Sequence, residues 1–339
     1  MMSPYDARTR VWKTAEWRTH ALAWTTQRLA DLGLRVTGPA EQPHLRPWST
    51  LLRVPTSDGP VWLKASGPGT AYEPRLLASF GRWRTPHVLT PLAVDLDRGW
   101  CLLPDAGTSL RSLLAARPEV GYWVDVLPTY AELQRGLTPR TEELLAIGVP
   151  DLRPEAISGA YVGLLADTGW LRIGAPDGLS VADAHRLRAL ASEVSRWARQ
   201  LAAVGIPPTL QHDDFHDGNV FVRQASGGPA YVFLDWGDAS FAHPFGSLLA
   251  SLRNVASRLD VPMDAAELQK LRDAYLEPWS ASFDRADLLD AVRWATQLAK
   301  VGRALAWQRA LAGASATERA TYAGSVPGWL GELLTSDGW

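Results

Sequence analysis

The sequence predicts an α+β protein in two lobes, on three observations. Up to about residue 105, short apolar runs alternate with turn signals. Beyond that point, apolar residues recur at helical spacing over long stretches. A short strand-rich insert between residues 209 and 234 interrupts the helical part. With 339 residues the chain exceeds the usual size of one domain, and its 46% hydrophobic and 21% charged content suits a large core. The division drawn is a β-rich lobe over 1–105 with an N-terminal helix, and a mainly helical lobe over 106–339 that carries the insert.

Taken in order, Trp17, Ala21, Trp24, Leu29 and Leu32 mark a helix from Thr14 to Leu32, with Gly33 as its stop. Three prolines between Gly38 and Pro47 predict a loop. The runs Ser49–Val54 and Val61–Ala65 flank Ser57-Asp58-Gly59-Pro60, which predicts a β-hairpin. Tyr72 to Phe80 reads as a helix carrying Glu73. A strand pair is expected at Val88–Leu96 and Trp100–Leu103, turning at Asp97-Arg98-Gly99. Helical patterns follow at Leu110–Ala116, Trp123–Gln134, Pro154–Leu165 and Val181–Val204, and again from Ala265 to Leu334. Inside the insert, Thr209-Leu210, Val220–Val222 and Val232–Leu234 are strand-like, with a turn at Ser226–Pro229.

Composition excludes several classes. The formal net charge is -2 with no basic stripe, which argues against a nucleic-acid partner. A single cysteine, Cys101, rules out an internal disulfide and fits a reducing cytoplasm; its apolar neighbours make it a buried small residue. The segment Met1–Asp6 has no signal-peptide character, and no apolar stretch is long enough for a membrane span. The expectation is a soluble cytoplasmic protein, with its oligomeric state open. Sixteen tryptophans suit core packing, and a few of them suit the wall of a sugar- or ring-binding cleft.

The densest polar cluster lies in the insert: Gln211-His212-Asp213-Asp214-Phe215-His216-Asp217-Gly218-Asn219, then Leu234-Asp235-Trp236-Gly237-Asp238 after an apolar strand. So many ionisable groups between apolar strands are costly unless they hold a ligand or metal. The spacing suits phosphoryl transfer. There an Asp orients the attacking hydroxyl, an Asn after four intervening residues binds metal, and a strand-end Asp binds the ions that bridge the phosphates. Asp214, Asn219 and Asp235 fit those places, and magnesium takes such oxygen ligands. Upstream, Lys64 falls on the second hairpin strand and Glu73 follows nine residues later at a helix start. That order suits a lysine at the phosphates paired with a glutamate.

The run His212–Asn219 followed by Leu234–Asp238 resembles the signature of the aminoglycoside phosphotransferase and choline kinase-like superfamily, and element order extends the resemblance over roughly residues 45 to 310. The resemblance implies a bilobal protein-kinase-like fold and an ATP- or GTP-dependent, magnesium-dependent transfer to a hydroxyl. It implies Asp214 as catalytic base, Asn219 and Asp235 as magnesium ligands, and Lys64 with Glu73 at the phosphates. A nucleotide hinge is implied near Leu102-Leu103-Pro104-Asp105, with Leu103 and Asp105 among the cofactor-binding residues. His212 is implied to hold the catalytic loop, with His216 and Asp238 in support; Asp238 fits either a loop brace or a site residue.

The sequence also departs from the pattern. Asp213 stands for the usual glycine, Asp217 for a common proline, and Ser247 for an aspartate that often braces the loop. No Gly-x-Gly-x-x-Gly precedes Lys64; Arg46–Thr50 takes its place, with Ser49 and Thr50 as candidate phosphate donors. Two other readings stay open. One is a metal-dependent hydrolase built on His212, Asp213, Asp214, His216 and Asp217; the other is a non-catalytic nucleotide-binding pseudokinase. Only a few residues separate Asp235 from the next helix near Phe245, which leaves no room for a peptide-docking activation segment and points to a small acceptor. Eight acids between Asp260 and Asp290, against Lys270, Arg272 and Arg285, read either as solvated helix surface or as a wall for a cationic acceptor such as an amino sugar or aminoglycoside. A sugar, amino alcohol or homoserine-like acceptor stays open beside them.

Overall fold

The computed structural model describes residues 11–116, 119–225 and 228–335, so Met1–Asp6 and the turn residues Ser226 and Gly227 lie outside the described residues. The chain divides into two compact units, Met1–Gly107 with Arg309–Tyr322, and Thr108–Gln308 with Ala323–Trp339. Sequence reasoning assigns everything after residue 105 to one lobe. The segment 309–322 groups with the first unit because Tyr322 packs edge-on against Trp48 at 5.2 Å, and because Gly69 sits so close to the Arg309 backbone that a Cβ would overlap it.

In the first unit, helix α1 (Ala15–Asp31) is capped by Thr14, whose hydroxyl accepts the Trp17 N–H at 3.2 Å, and Gly33 follows in the left-handed region at φ 75°. An antiparallel sheet has the order β1-β2-β3-β5-β4, from strands β1 (Glu41–Leu45), β2 (Ser49–Thr56), β3 (Gly59–Ser66), β4 (Ala93–Asp95) and β5 (Trp100–Pro104). Strand β1 lies inside the stretch expected to be a loop. Pro43 has no N–H to donate, but β1 is an edge strand whose pairing to β2 shifts between Glu41 and His44, so the missing donor costs little. The expected strand over Val88–Leu96 shrinks to β4, because Pro86 and Pro91 supply no ladder donors and His87 turns left-handed at φ 61°. The core of this unit stacks Trp17 and Leu29 of α1 onto Leu52, Leu63, Trp100 and Leu102 of the sheet.

Helix α2 (Glu73–Trp83) begins with Pro74 in its first turn, where the missing N–H is tolerated. That start fixes Glu73 against β3. Lys64 Nζ donates to Glu73 Oε1 at 2.7 Å with side chains 9% and 1% exposed, and Ser66 Oγ donates to the other carboxylate oxygen at 3.2 Å. Cys101, the register partner of Lys64 on β5, is fully buried, and burial pushes its thiol up to about 12.

In the second unit, β6 (Thr108–Ser109), β8 (Val220–Ala225) and β9 (Gly228–Phe233) form one small sheet, and β7 (Thr209–Gln211) pairs with β10 (Ser240–Ala242). Around them pack α3 (Leu110–Ala116), α4 (Gly121–Leu137), α5 (Pro154–Ala166), α6 (Val181–Ala189), α7 (Ala191–Val204), α8 (Ser247–Leu259), α9 (Ala266–Leu276), α10 (Arg285–Ala310) and α11 (Ser325–Gly331). The single helix expected over Val181–Val204 is two, parted at Leu190. No helix among the described residues is long and apolar enough to cross a membrane.

Because Lys64 and Glu73 are both buried, removing the carboxylate takes from a buried ammonium the charge that lies 2.7 Å from it. Glu73→Ala should destabilise the protein by about 3–5 kcal/mol in chemical denaturation; a loss under about 1 kcal/mol would show the pair to be solvated.

Candidate active site

The residues 212–219 span the gap between β7 and β8, and each end of this loop is tied to the fold by hydrogen bonds. The His212 N–H donates to the Tyr130 hydroxyl at 2.8 Å, and Tyr130 lies 3.1 Å from Ser247 Oγ. Ser247, where the resemblance leads one to expect an aspartate, therefore reaches the loop through a tyrosine. Tyr130 also stacks on Phe215 with ring centroids 4.0 Å apart, and this anchors the middle of the loop in the core. Beneath β7, the buried Gln134 amide donates to the carbonyls of Leu210 and Pro244, at 3.1 and 3.2 Å.

His212 joins the two halves of the motif. Its Nε2 donates to the Leu234 carbonyl at 2.8 Å, so Nδ1 is the acceptor, and it takes the Asp214 N–H at 3.3 Å. Burial lowers the pKa of this imidazole, which keeps it neutral in that arrangement. One ring thus sets the backbone of Asp214 relative to the residue before Asp235. From the other side, the Leu234 N–H donates to the Asn219 carbonyl at 2.9 Å, which puts Asn219 and Asp235 at the same end of the β8–β9 hairpin. Asp235 itself is left-handed at φ 63°, a conformation Asp tolerates better than most residues.

The Asp214 carboxylate is held at both oxygens. Arg303 donates to Oδ1 at 3.0 Å, and His216 Nε2 lies 3.3 Å from Oδ2. Burial alone would raise this carboxyl, but the Arg303 guanidinium and the His216 hydrogen bond hold it well below the usual carboxylate range. Arg303, with 8% of its side chain exposed, also donates to Asp238 at 3.1 Å, which makes Asp238 a brace for the same guanidinium. Asp217, where proline is common, is fully buried and held by Arg111 at 2.9 Å and by Arg258. A Cβ at Gly218 would lie 2.7 Å from the end of the Arg111 side chain, which would have to shift from its place on Asp217. Asp213 is buried beside Gln211.

These commitments decide between the metal readings. Among the described residues no group of three or more His, Cys, Asp or Glu is placed to hold a metal ion. His212, Asp214 and Asp217 point to different partners and do not converge, contrary to the hydrolase alternative. Asp235 and Asn219 fit magnesium better. Both supply oxygen, and the Asn219 amide nitrogen is already spent on the Asp214 carbonyl at 2.9 Å, which leaves its oxygen for an ion.

Other predicted residues fall elsewhere. Thr50 is a correction: its hydroxyl is fully buried, donates to the His44 carbonyl at 2.8 Å and accepts from Gln42 at 2.9 Å, so it cannot offer a phosphate a donor. Ser49 is 4% exposed and lies 3.2 Å from His44 Nε2, engaged in the same β1–β2 turn. Leu103 is buried on β5, and Asp105 accepts from Trp62 Nε1 at 3.0 Å and from the Gly107 N–H at 2.8 Å, closing the end of that strand. Of the eight acids between Asp260 and Asp290, six are exposed, while Asp273 is paired with Arg272 and Arg285 and Asp290 with Arg293. Sequence reasoning missed Arg303, Tyr130, Arg111 and Arg258. For Arg303 a signal exists: with Lys300 it is one of two basic residues in the run Leu298–Ala306, which is otherwise small or apolar.

The fold and this loop define a protein-kinase-like phosphotransferase. Macrolide 2'-phosphotransferase MphH from Brachybacterium faecium is similar over 89% of this chain and 97% of its own, at 18% identity and a TM-score of 0.56. A choline/ethanolamine kinase family protein from Mesorhizobium loti is similar over 93% and 94%, at 16% identity and 0.58. Ethanolamine kinase from Plasmodium vivax is similar over 85% and 80%, at 12% identity and 0.54. No curated protein matches the chain in sequence. The model of the phosphotransferase enzyme family matches residues 102–289, over half of the chain. The chain belongs to this family and is an enzyme of the small-molecule kinase class.

A titration follows from His243, whose Nδ1 accepts the Phe245 N–H at 3.3 Å and whose Nε2 is buried with no hydrogen-bond partner among the described residues. Burial pushes this imidazole down to about 3. The unfolded chain gains a proton near pH 6.5 that the folded chain refuses, so stability is full above that pH and falls as pH drops toward 3. The slope is about 1.4 kcal/mol per pH unit for each such histidine. Unfolding free energies measured at pH 5 and pH 7 should differ less in His243→Gln than in the parent; equal differences would contradict the assignment.

Proposed function

We propose that the protein transfers the γ-phosphoryl group of ATP, or of GTP, to a hydroxyl of a small molecule in the presence of magnesium. The observation that carries this reading is the Asp214 carboxylate. It is held ionised by Arg303 and His216, on a loop whose Asn219 and Asp235 share one end of a hairpin. A carboxylate with such a low proton affinity accepts a hydrogen bond from the acceptor hydroxyl and orients it, then takes the proton late in a loose transition state. In that step the acceptor oxygen bonds to the γ-phosphorus, the bond to the β–γ bridging oxygen breaks, and ADP leaves. Asn219 and Asp235 would hold magnesium, which neutralises charge on the phosphate oxygens when bound. The buried Lys64, fixed by Glu73, would provide a cation for the phosphates, and the backbone from Leu102 on β5 to Asp105 just beyond it would hold the adenine edge.

The pseudokinase reading requires a missing base or metal ligand, and Asp214, Asn219 and Asp235 are all present. The reading supports a cytoplasmic setting, where ATP is supplied and where the one buried thiol, Cys101, needs no partner.

Two variants test the roles separately. Asp214→Ala should lower kcat by about 10²–10⁴-fold while nucleotide affinity stays within a few-fold. Asp235→Asn should shift the magnesium dependence of nucleotide binding to higher concentration, read by titration calorimetry. Full turnover in the first variant, or an unmoved magnesium titration in the second, would remove that residue from its assigned place.

A further inference from the structure

The run Glu193-x-x-Arg196-Trp197-Ala198-x-Gln200 in α7 returns in α10 as Asp290-x-x-Arg293-Trp294-Ala295-x-Gln297. On a helix the acid, arginine, tryptophan and glutamine of such a run fall on one face. Both faces border the same groove, of about 520 Å³, with Leu333 and Thr335 along its side. That volume lies within the range of small-ligand sites, roughly 300–1,000 Å³. The groove is separate from the loop at residues 212–219. Trp294 precedes Arg303 by nine residues, and at about 3.6 residues per turn the two stand half a turn apart on α10. Arg303 is thus directed at Asp214 while Trp294 borders the groove.

The two copies of the run are not used alike. Arg196 pairs with Glu193 and Arg293 with Asp290 at 3.3 Å, and the groove's lining holds no charge beyond these two pairs. Gln297 gives its side-chain oxygen to the Lys300 ammonium at 3.2 Å. Gln200 has no such engagement: its Oε1 is buried and accepts no hydrogen bond among the described residues. An amide oxygen taken from water and left unbonded is costly, and a ligand N–H relieves that cost. The Trp197 indole donates to Glu193, which fixes its ring. Trp294 is half-buried, and its side chain makes no hydrogen bond and no ring contact among the described residues. The groove therefore presents one fixed indole, one unengaged indole and one unsatisfied buried acceptor.

We propose that this groove is a second ligand site, for a flat, uncharged heterocycle bearing an N–H donor, of the nucleobase or xanthine type. Trp294 stacks on the ring, and Gln200 accepts the N–H at its edge. Flat heterocycles suit an indole face because stacking needs only a π-surface of matching size. A charged ring gains little, since each charge of the lining is already paired within its own helix. The site does not depend on the kinase reading.

The test uses the full chain with magnesium-ADP in excess, so that a nucleotide site elsewhere is filled, and follows ring binding by saturation-transfer NMR titration. Theophylline and uracil are the flat rings with N–H donors. Caffeine is theophylline with its one ring N–H methylated, orotate is uracil carrying a carboxylate, and methyl glucoside is a ring that is not flat. Theophylline should bind about five-fold or more tightly than caffeine, uracil should exceed orotate, and methyl glucoside should stay at background. Trp294→Ala should weaken theophylline about five-fold or more. Gln200→Leu, which keeps the size of the side chain, should bring theophylline to the level of caffeine and leave caffeine itself unchanged. Silence from both theophylline and uracil overturns the inference, as does equal binding of theophylline and caffeine. Preference for orotate or methyl glucoside, or binding that neither variant alters, overturns it as well.

Discussion

A buried guanidinium governs the electrostatics of the helical unit. Arg303 reaches the loop at residues 212–219 from α10, donating to Asp214 there and to Asp238 beyond it, and its side chain is 8% exposed. Burial alone would raise the Asp214 carboxyl; the Arg303 guanidinium beside it holds it well below the usual carboxylate range. Its planar fork supplies separate donors for two acceptors, which a lysine cannot do in fixed geometry. The same side chain lies over Trp329, so the charge of the loop and the packing of the C-terminal helix are set together.

Around that centre the loop is held by short-range geometry. His212 reads the Leu234 carbonyl and the Asp214 N–H with its two ring nitrogens, and Tyr130 secures the His212 backbone. The Tyr130 bond is buried and the two made by the His212 ring are partly so, and leaving a buried donor or acceptor unmade costs more than the bond itself returns. The loop is therefore built before any ligand arrives. Preorganisation of this kind is what phosphoryl transfer requires from a protein, since the chemistry resides in the phosphate and its metal.

The sequence exposed those parts of the molecule whose physics is local. The run His212–Asn219 and the strand-end Asp235 were legible because so many polar residues between apolar strands demand a partner. The Asp-Gly hairpin was legible from its turn residues, and the helix carrying Glu73 from the break at Gly67-Pro68-Gly69 before it. Strand β1 was hidden because Pro43 reads as a loop, and only pairing with β2 at the sheet edge makes it a strand. Thr50 looked available because its partners, His44 and Gln42, come from that unrecognised strand. Tyr130 is 82 residues from His212, and no periodicity announces such a contact. The acids at 260–290 were open to two readings in the sequence, because composition counts charges without saying which are paired or solvated; six of the eight are exposed.

If Arg303 is the organising charge, it must be coupled to Asp214 energetically as well as lying beside it. A double-mutant cycle measures this directly, with Arg303→Met, Asp214→Asn and the combination compared in unfolding free energy. The account predicts a coupling between about 1 and 3 kcal/mol, with the double variant more stable than the sum of the single losses allows. Strict additivity would contradict it, and would mean that the guanidinium and the Asp214 carboxylate are neighbours that do not depend on each other.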